Sequence, residues 1–492
     1  MSDTLTIKKV NETYMQLVAD RGLLAEIGDA FEFYAPGYKF VPSYRNGYWN
    51  GKIRMLSYKN NTMYSGLMDE VLELCKARGY NCSPYELYND SIDKAFLAKW
   101  YDSLVKIKPR DYQIEAIEHC LTKRRAVLLS PTGSGKSLII YMLCRYITEK
   151  KKNVGEERKI LIVVPIISLV SQMNSDFKDY TGSERLMETH CITAGVTKDV
   201  AQYEVVISTW QSLQKQDASW FNQFTGIIID ECHLAKAKSL TTIMERCTNV
   251  SYRIGTSGTL DGENVNKLTL TGLFGSVKRV ATTTELIEQK QLAPLKINAI
   301  VLNYKRTDDI KKIKTYQDEI DYLVSNEKRN KFIVDLVTRL DKTTLVLFRY
   351  VESHGVVLHK MMEEQMSDVH YISGKVPGRD RETIRHLMED NSKKQVLIGS
   401  IQTLSTGINI KNIHNIIFTS PTKSQITILQ SIGRGLRTHA QKDVLQIYDL
   451  VDRFEGKKQN YAVKHFAERV KVYDNELFKY GVKQIEIDKF YK

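Results

Sequence analysis

The sequence predicts an α/β protein: two tandem modules, each a parallel sheet covered by helices, preceded by a small α+β amino-terminal domain. Three observations carry this. A chain of 492 residues is too long for a single core. From about 107 to 295, short apolar runs ("AVLLS", "KILIVVP", "YEVVIST", "GIIID", "SYRIGTS") alternate with helical segments, the texture of strands buried on both faces. The same alternation restarts after about 296, in "LKINAIVLNY", "TTLVLFRY", "DVHYIS", "QVLIGS", "HNIIFTS" and "VLQIYDL". The first hundred residues differ: they are rich in aromatics, with helical segments around 66–79 and 92–106.

The expected boundaries are 1–100 for the amino-terminal domain, 101–295 and 296–455 for the two modules, and 456–492 for a basic helical tail, with a helix over 462–478 packed on the second module. The charged stretch "KRTDDIKKIKTYQDE" (305–319) reads as a surface helix or linker. The apolar run "ILIVVPIISLV" (160–170) is shorter than the roughly 20 residues a membrane span needs and reads as a strand turning at Pro165. The amino terminus lacks the apolar core of a secretory signal. Seven cysteines, at 75, 82, 120, 144, 191, 232 and 247, are odd in number and contain no CxxC pair. Reduced thiols in a cytoplasm, no structural zinc and no membrane partner are therefore expected. A net charge of +13 fits a polyanion partner such as nucleic acid, although a solvated basic surface fits it equally.

Motifs decide between these. "LLSPTGSGKS" (128–137) follows an apolar run and precedes the helical "LIIYMLCRYI", the strand–loop–helix setting of a phosphate-binding loop. Backbone amides of Thr132, Gly133, Ser134, Gly135 and Lys136 can wrap phosphates at the helix start. Lys136 supplies a point charge for the β- and γ-phosphates of ATP, and the Ser137 hydroxyl is placed to ligate Mg²⁺. Ser130 stands where the strict pattern has its first glycine. "GIIIDECH" (226–233) is a buried strand ending in two acids. Asp230 can hold Mg²⁺ through water, and Glu231 can polarise an attacking water as general base. In "PRDYQ" (109–113), Gln113 has the donor and acceptor to read adenine, and Arg110 can stack on the ring.

The ordered set "PRDYQ", "SPTGSGKS", "VVPIISLVSQ", "ISTWQSL", "DECH" and "GTSGTL" resembles motifs Q, I, Ia, Ic, II and III of superfamily 2 helicases, in the DExH group. In the second module "VLFRYVESHG" (346–355), "YISGKVPGRDRE" (371–382), "IGSIQTLSTGIN" (398–409) and "QSIGRGLR" (430–437) resemble motifs IV, IVa, V and VI. The resemblance implies two RecA-like domains, with ATP bound to the first and capped by the second. It implies that Gln430, Arg434 and Arg437 act at the nucleotide, the arginines as fingers supplied in cis; such a finger contributes roughly 10³–10⁵ in rate. Gly407 and Asn409 would face the ribose, with Asn409 standing where many relatives carry aspartate. Ser168 and Thr209 would touch a nucleic-acid strand from the first module, and Ser373 and Thr403 from the second. His233, Ser257 and Thr259 would link the ATP site to the strand path.

Between Phe33 and Leu67 there is no acid, while Lys39, Arg45, Lys52, Arg54 and Lys59 are basic and interleave with Tyr38, Tyr44, Tyr48, Trp49 and Tyr58. Arg45, Trp49, Lys52 and Arg54 are candidate nucleic-acid contacts; a small β-rich domain using the aromatics as core is the alternative. Two Asn-Gly pairs, 46–47 and 50–51, signal a tight hairpin. The segment "GYKF…GYWNGKIR", followed by "DECHL" and "GRGLR", resembles the UvsW-type phage recombination helicases over nearly the whole chain. That resemblance implies an ATP-driven enzyme, working as a monomer in the host-cell cytoplasm, on branched or forked DNA and RNA–DNA hybrids. A duplex translocase without strand separation and a DExH-type RNA helicase stay open.

Overall fold

The computed structural model describes residues 4–491 apart from 36, 105–106, 151–156, 182–186, 194, 237, 261–263, 391–392, 406–409, 411, 422–423, 425–430, 434–435, 437–443 and 457–458. Two compact units emerge, residues 1–130 with 135–281 and residues 131–134 with 282–492.

The first unit begins with a small sheet of order β5-β2-β1-β6. β1 (Thr4–Lys9) and β2 (Tyr14–Val18) pair antiparallel, β5 (Thr62–Tyr64) extends β2, and β6 (Asn81–Ser83) runs parallel to β1. Alternation puts Leu5, Ile7, Met15 and Leu17 on one buried face, under the helices Arg21–Ala30 and Met68–Arg78. Asp20 caps the first helix, accepting from Leu23 N at 2.9 Å.

The Asn-Gly pairs do not make a tight hairpin. β3 (Glu32–Tyr34) and β4 (Lys52–Arg54) do pair antiparallel, Glu32 opposite Arg54. Their connection is a folded excursion containing the turn Tyr38–Phe40 and the helix Pro42–Arg45. Asn46–Gly47 ends that helix, with Gly47 at φ 74°. Gly51, at φ 80°, passes so close to Tyr38 that a Cβ there would lie 2.4 Å from the ring. The glycines serve two local needs, a helix stop and a close approach.

The first large sheet has seven parallel strands in the order β13-β7-β12-β11-β8-β10-β9. They are β7 (Arg125–Leu129), β8 (Ile160–Val164), β9 (Thr189–Ile192), β10 (Val205–Thr209), β11 (Gly226–Asp230), β12 (Tyr252–Ser257) and β13 (Val277–Arg279). β8 and β10 are buried at every residue, as strands inside a sheet covered on both faces are. The small domain is built onto this one. Arg253, fully buried, donates to Leu273 O (2.9 Å), Cys247 O (2.7 Å), Met244 O (2.7 Å) and, across the seam, Thr13 Oγ1 (3.2 Å). Beside it Arg125 Nη2 lies 2.9 Å from Glu12 Oε2. Gly66 packs directly on the backbone of Thr271 and Gly272.

The second unit holds another seven-stranded parallel sheet, β16-β17-β15-β18-β19-β14-β20. Its strands are β14 (Leu295–Tyr304), β15 (Thr344–Phe348), β16 (Val369–Ile372), β17 (Val396–Ser400), β18 (Asn415–Phe418), β19 (Leu445–Phe454) and β20 (Tyr480–Glu486). The predicted two-module α/β architecture with an α+β domain ahead of it is what the chain adopts. The carboxy-terminal segment is not only helical: after the helix Tyr461–Asn475 it adds β20 to the sheet edge. That strand is almost wholly exposed, so no apolar alternation marked it. The charged 305–319 stretch does form helices, but Glu319 is buried. Its carboxylate accepts from Asn460 Nδ2 (2.8 Å), Tyr461 N (2.9 Å) and Ala462 N (2.6 Å), anchoring the start of that last helix.

Two buried ion pairs sit on β19: Asp452 with Arg329 (2.8 Å) and Asp449 with Arg469 (2.9 Å). Near Arg329 a single π-helical turn, Val351–Gly355, buries His354 with neither ring nitrogen hydrogen-bonded. Burial, then the Arg329 charge, lowers the His354 pKa to about 3. Because the unfolded chain binds this proton more readily, stability conferred by the neutral ring is present above the ordinary histidine pKa and is lost as pH falls through 6.5 toward 3. At about 1.4 kcal/mol per pH unit, the second unit should lose about 2 kcal/mol between pH 6.5 and 5 relative to His354→Leu. Amide hydrogen exchange of β15 and β17 in urea measures this, and equal pH slopes in the two proteins would contradict it.

Candidate active site

The strand ends of the first large sheet gather most of the predicted residues. β7 runs into the loop 130–135, in which Gly133 (φ 87°) and Gly135 (φ 79°) are left-handed. The helix Lys136–Glu149 then begins without a side-chain cap on its first turn, the form of an anion-binding helix start. Lys136 Nζ donates to Ser130 O at 3.1 Å. Ser130 itself is fully buried, and its N–H donates to Ser257 O on β12. A serine is accommodated in the glycine's place because this position continues the strand pairing.

β11 ends in the acidic pair. Glu231 is left-handed at φ 52°, a conformation that costs a non-glycine residue about 1–2 kcal/mol and that concentrates at functional sites. The turn lets Glu231 N donate back to Asp230 Oδ1 at 3.0 Å, while Thr256 Oγ1 donates to the same oxygen at 2.7 Å. Burial, then the Glu231 charge, raises the Asp230 pKa. For Glu231, burial works upward but is outweighed by the Lys136 charge and by His233, which hold it below the ordinary carboxylate range. The pair thus presents one firmly ionised carboxylate and one whose charge calls for a cation.

Three residues expected to relay the site's state are brought together. His233 Nδ1 lies 2.9 Å from Ser257 Oγ and 3.2 Å from Glu231 Oε2. Ser257 Oγ donates to Thr259 O (2.6 Å) and accepts from Thr259 N (3.2 Å). With its proton given to Thr259, Ser257 accepts from His233, which fixes the proton on Nδ1. Glu231 Oε2 is buried beside His233 Nδ1.

Other expected residues are placed differently. Gln113 is buried, its Oε1 accepting from Arg110 N (2.9 Å) and its Nε2 donating to Gly135 O (3.4 Å). It is tied to the phosphate loop here, whereas Arg110 is exposed and donates to Tyr112 OH. Of the four hydroxyl residues expected on a nucleic-acid path, only Ser168 is exposed. Thr209, Ser373 and Thr403 are buried, Thr209 Oγ1 lying 3.1 Å from Ser212 Oγ and Thr403 Oγ1 3.0 Å from Ser400 Oγ. Both bonds organise the turn from strand to helix. Gly407, Asn409, Gln430, Arg434 and Arg437 lie outside the described residues.

In the amino-terminal domain Lys52 and Arg54 both pair with Glu32, Arg54 Nε at 2.7 Å. Glu32 is one residue outside the acid-free stretch that singled these cations out. Trp49 Nε1 donates to Lys52 O at 2.9 Å, so its polar edge is engaged. Arg45 remains exposed.

The residues fit ATP and a divalent cation. The uncapped helix start, the left-handed glycines, the charge of Lys136 and the buried acid pair beside it are what a metal–triphosphate demands. Lys136 and Ser137 would hold the phosphates, with Ser137 and Asp230 toward Mg²⁺.

Comparison with known proteins separates the possibilities that share this site. The chain is 34% identical over 96% of its length, and 98% of the relative's, to the ATP-dependent DNA helicase uvsW of Enterobacteria phage T4. It belongs to the UvsW family of ATP-dependent DNA helicases. Residues 5–84 match the family "DNA helicase UvsW, N-terminal", 106–262 match "Type III restriction enzyme, res subunit", and 328–439 match "Helicase conserved C-terminal domain". The crystal structure of T4 UvsW aligns over 99% of this chain and 100% of that one, at TM-score 0.52 and 33% identity. A fragment of a putative HsdR subunit of a type I restriction enzyme from Vibrio vulnificus shares the fold alone, at 19% identity and TM-score 0.59 over 85% of this UvsW-family chain and 75% of its own. Among the described residues, no helix is long and apolar enough to cross a membrane.

Thr256 escaped sequence reading although it lies inside the quoted "GTSGTL". Its role rests on register, since Thr256 stands opposite Asp230 across the β11–β12 pair, and a single sequence does not show which strands are neighbours. Thr256→Val removes a hydrogen bond to a charged group, a loss of about 1.5–3 kcal/mol. Steady-state ATP turnover should fall about tenfold or more, and Thr256→Ser should retain it; wild-type turnover in the valine variant would dismiss the contact.

Proposed function

We propose that this UvsW-family helicase uses ATP with Mg²⁺ to remodel branched DNA, moving four-way junctions, regressing forks and unwinding R-loops or D-loops. What supports the reading most is that the likeness to the phage T4 enzyme runs through the amino-terminal domain as well as both helicase domains. A helicase core alone is common to many nucleic-acid translocases; this domain is the part that distinguishes the family.

In the proposed cycle, Mg²⁺ would supply positive charge to the triphosphate. Lys136 and the amides at the start of its helix bind and orient the phosphates. Glu231, held ionised, accepts the proton of the attacking water. The hydrogen-bonded chain His233–Ser257–Thr259, which starts 3.2 Å from Glu231 Oε2, carries the state of Glu231 onward. Gln430, Arg434 and Arg437 of the second RecA-like domain, numbered 296–455 in the proposed domain division, would complete the charge compensation. The enzyme is taken to act as a monomer.

ATP turnover measured with single-stranded DNA, duplex, fork, four-way junction and RNA–DNA hybrid tests this. Forks and junctions should stimulate most strongly, and Lys136→Ala and Glu231→Gln should abolish turnover on every substrate. Equal stimulation by plain duplex would make the enzyme a duplex translocase instead, whereas appreciable turnover in either variant would overturn the site assignment.

A further inference from the structure

The most basic stretch of the amino-terminal domain holds side chains that the fold commits to itself and side chains that it does not. Lys52 and Arg54 share the carboxylate of Glu32. Tyr34 and Tyr38 stack at 4.5 Å between ring centres, and Tyr44 meets Tyr38 edge-on at 4.8 Å. The Trp49 ring is fixed by its bond to Lys52 O. These contacts fold the excursion between β3 and β4 into a rigid platform. On it stand Phe40, 76% exposed, and Tyr48, 86% exposed, the two most exposed large apolar side chains among the described residues. They flank the helix Pro42–Arg45, with the exposed Lys39 and Arg45 beside them. The platform holds them in place, since Tyr48 N donates to Ser43 O at 2.9 Å and Phe40 N to Gly37 O at 2.9 Å.

We propose that Phe40 and Tyr48 form a stacking surface for unpaired bases at a DNA branch point, with Lys39 and Arg45 on the adjoining phosphates. Large aromatics standing in water on a rigid support mark a contact surface rather than a core. The occupant follows from charge: Glu32, the acid on this face, is taken up by Lys52 and Arg54, which leaves the exposed Lys39 and Arg45 beside the rings, so an acceptor-rich polyanion fits this face. Phosphate contacts alone would not distinguish a branch from a duplex. Ring faces do, because a duplex keeps its base faces stacked internally and a branch point offers them. This inference rests on the branched-DNA reading and names the side chains that would carry the preference.

The test is equilibrium binding of the full chain and its Phe40→Ala/Tyr48→Ala variant to three DNAs: a fork with 2-aminopurine at the junction, a single strand with 2-aminopurine, and a blunt duplex. Stacking is worth about 1–3 kcal/mol per base, so fork and single-strand affinity should each fall about tenfold or more. Duplex affinity and DNA-free ATP turnover should stay within twofold. Wild-type protein should change the 2-aminopurine fluorescence, the variant should not, and Phe40→Trp/Tyr48→Trp should restore the signal. Unchanged fork and single-strand affinity in the alanine variant would overturn the proposal and turn attention to a protein partner for this face. Should wild-type protein bind fork and duplex equally, the branched-DNA reading fails by itself; the single-strand arm then decides the stacking surface independently.

Discussion

In a parallel sheet every strand delivers its carboxyl end to the same edge, and in this chain that geometry governs the chemistry. β7 opens into the phosphate loop, β11 into Asp230 and Glu231, β12 into Ser257 and Thr259, β8 and β10 toward Ser168 and Thr209. Residues more than a hundred positions apart meet because their strands are neighbours in register. The Asp230–Thr256 and Leu129–Ser257 pairings set the positions of the acid pair, the Ser130 amide and the Ser257 hydroxyl together. Strands buried on both faces hold that register firmly, since a slip would displace several apolar side chains at once.

Once the carboxyl ends are fixed, the electrostatics follow from which groups are forced together. Two acids in sequence would repel. The left-handed turn at Glu231 separates their roles by sending Asp230 Oδ1 to the Glu231 amide and to Thr256, and the Glu231 carboxylate toward Lys136 and His233. Lys136 then lowers one carboxyl while burial raises the other. Gly255 is part of the same solution: a Cβ there would lie 2.8 Å from Cys232 Sγ, so the glycine lets the turn that carries the acids pack flat on β12.

What sequence could and could not reveal divides along the same line. Buried strands such as "KILIVV" and "GIIID" are unbroken apolar runs, and the chemistry follows each run at once, so architecture and acid pair were both legible. β9, β13 and β20 were not, because these edge strands are half-buried or exposed along most of their length and carry no such run. The Asn-Gly pairs were misread for a related reason. A glycine reports that left-handed or crowded backbone is needed, not whether a hairpin, a helix stop or a close approach needs it. Glu32 lay one residue beyond a window chosen for lacking acids, and only pairing across β3 and β4 shows that it answers Lys52 and Arg54. Buried hydroxyls such as Thr209 and Thr403 share a sequence context with exposed ones, and their orientation depends on the turn that follows.

The amino ends of the same strands bear on how the small domain serves the motor. Arg253 is the second residue of β12 and Arg125 the first of β7, so the strands that lead into the 130–135 loop and end at Ser257 on one side hold the amino-terminal domain on the other. Arg253 has four neutral acceptors and no carboxylate. Burial, then Arg125, lowers its pKa only to about 10, so it stays charged at neutral pH. Withdrawing the small domain would strip this buried cation of Thr13, and would break the Glu12–Arg125 pair in the same movement. Hydrogen bonds to charged groups are worth about 1.5–3 kcal/mol each. The aromatic platform is therefore carried on a domain joined to the first core domain by buried charge, at the far ends of the five- and six-residue strands that lead to the acid pair and the 130–135 loop.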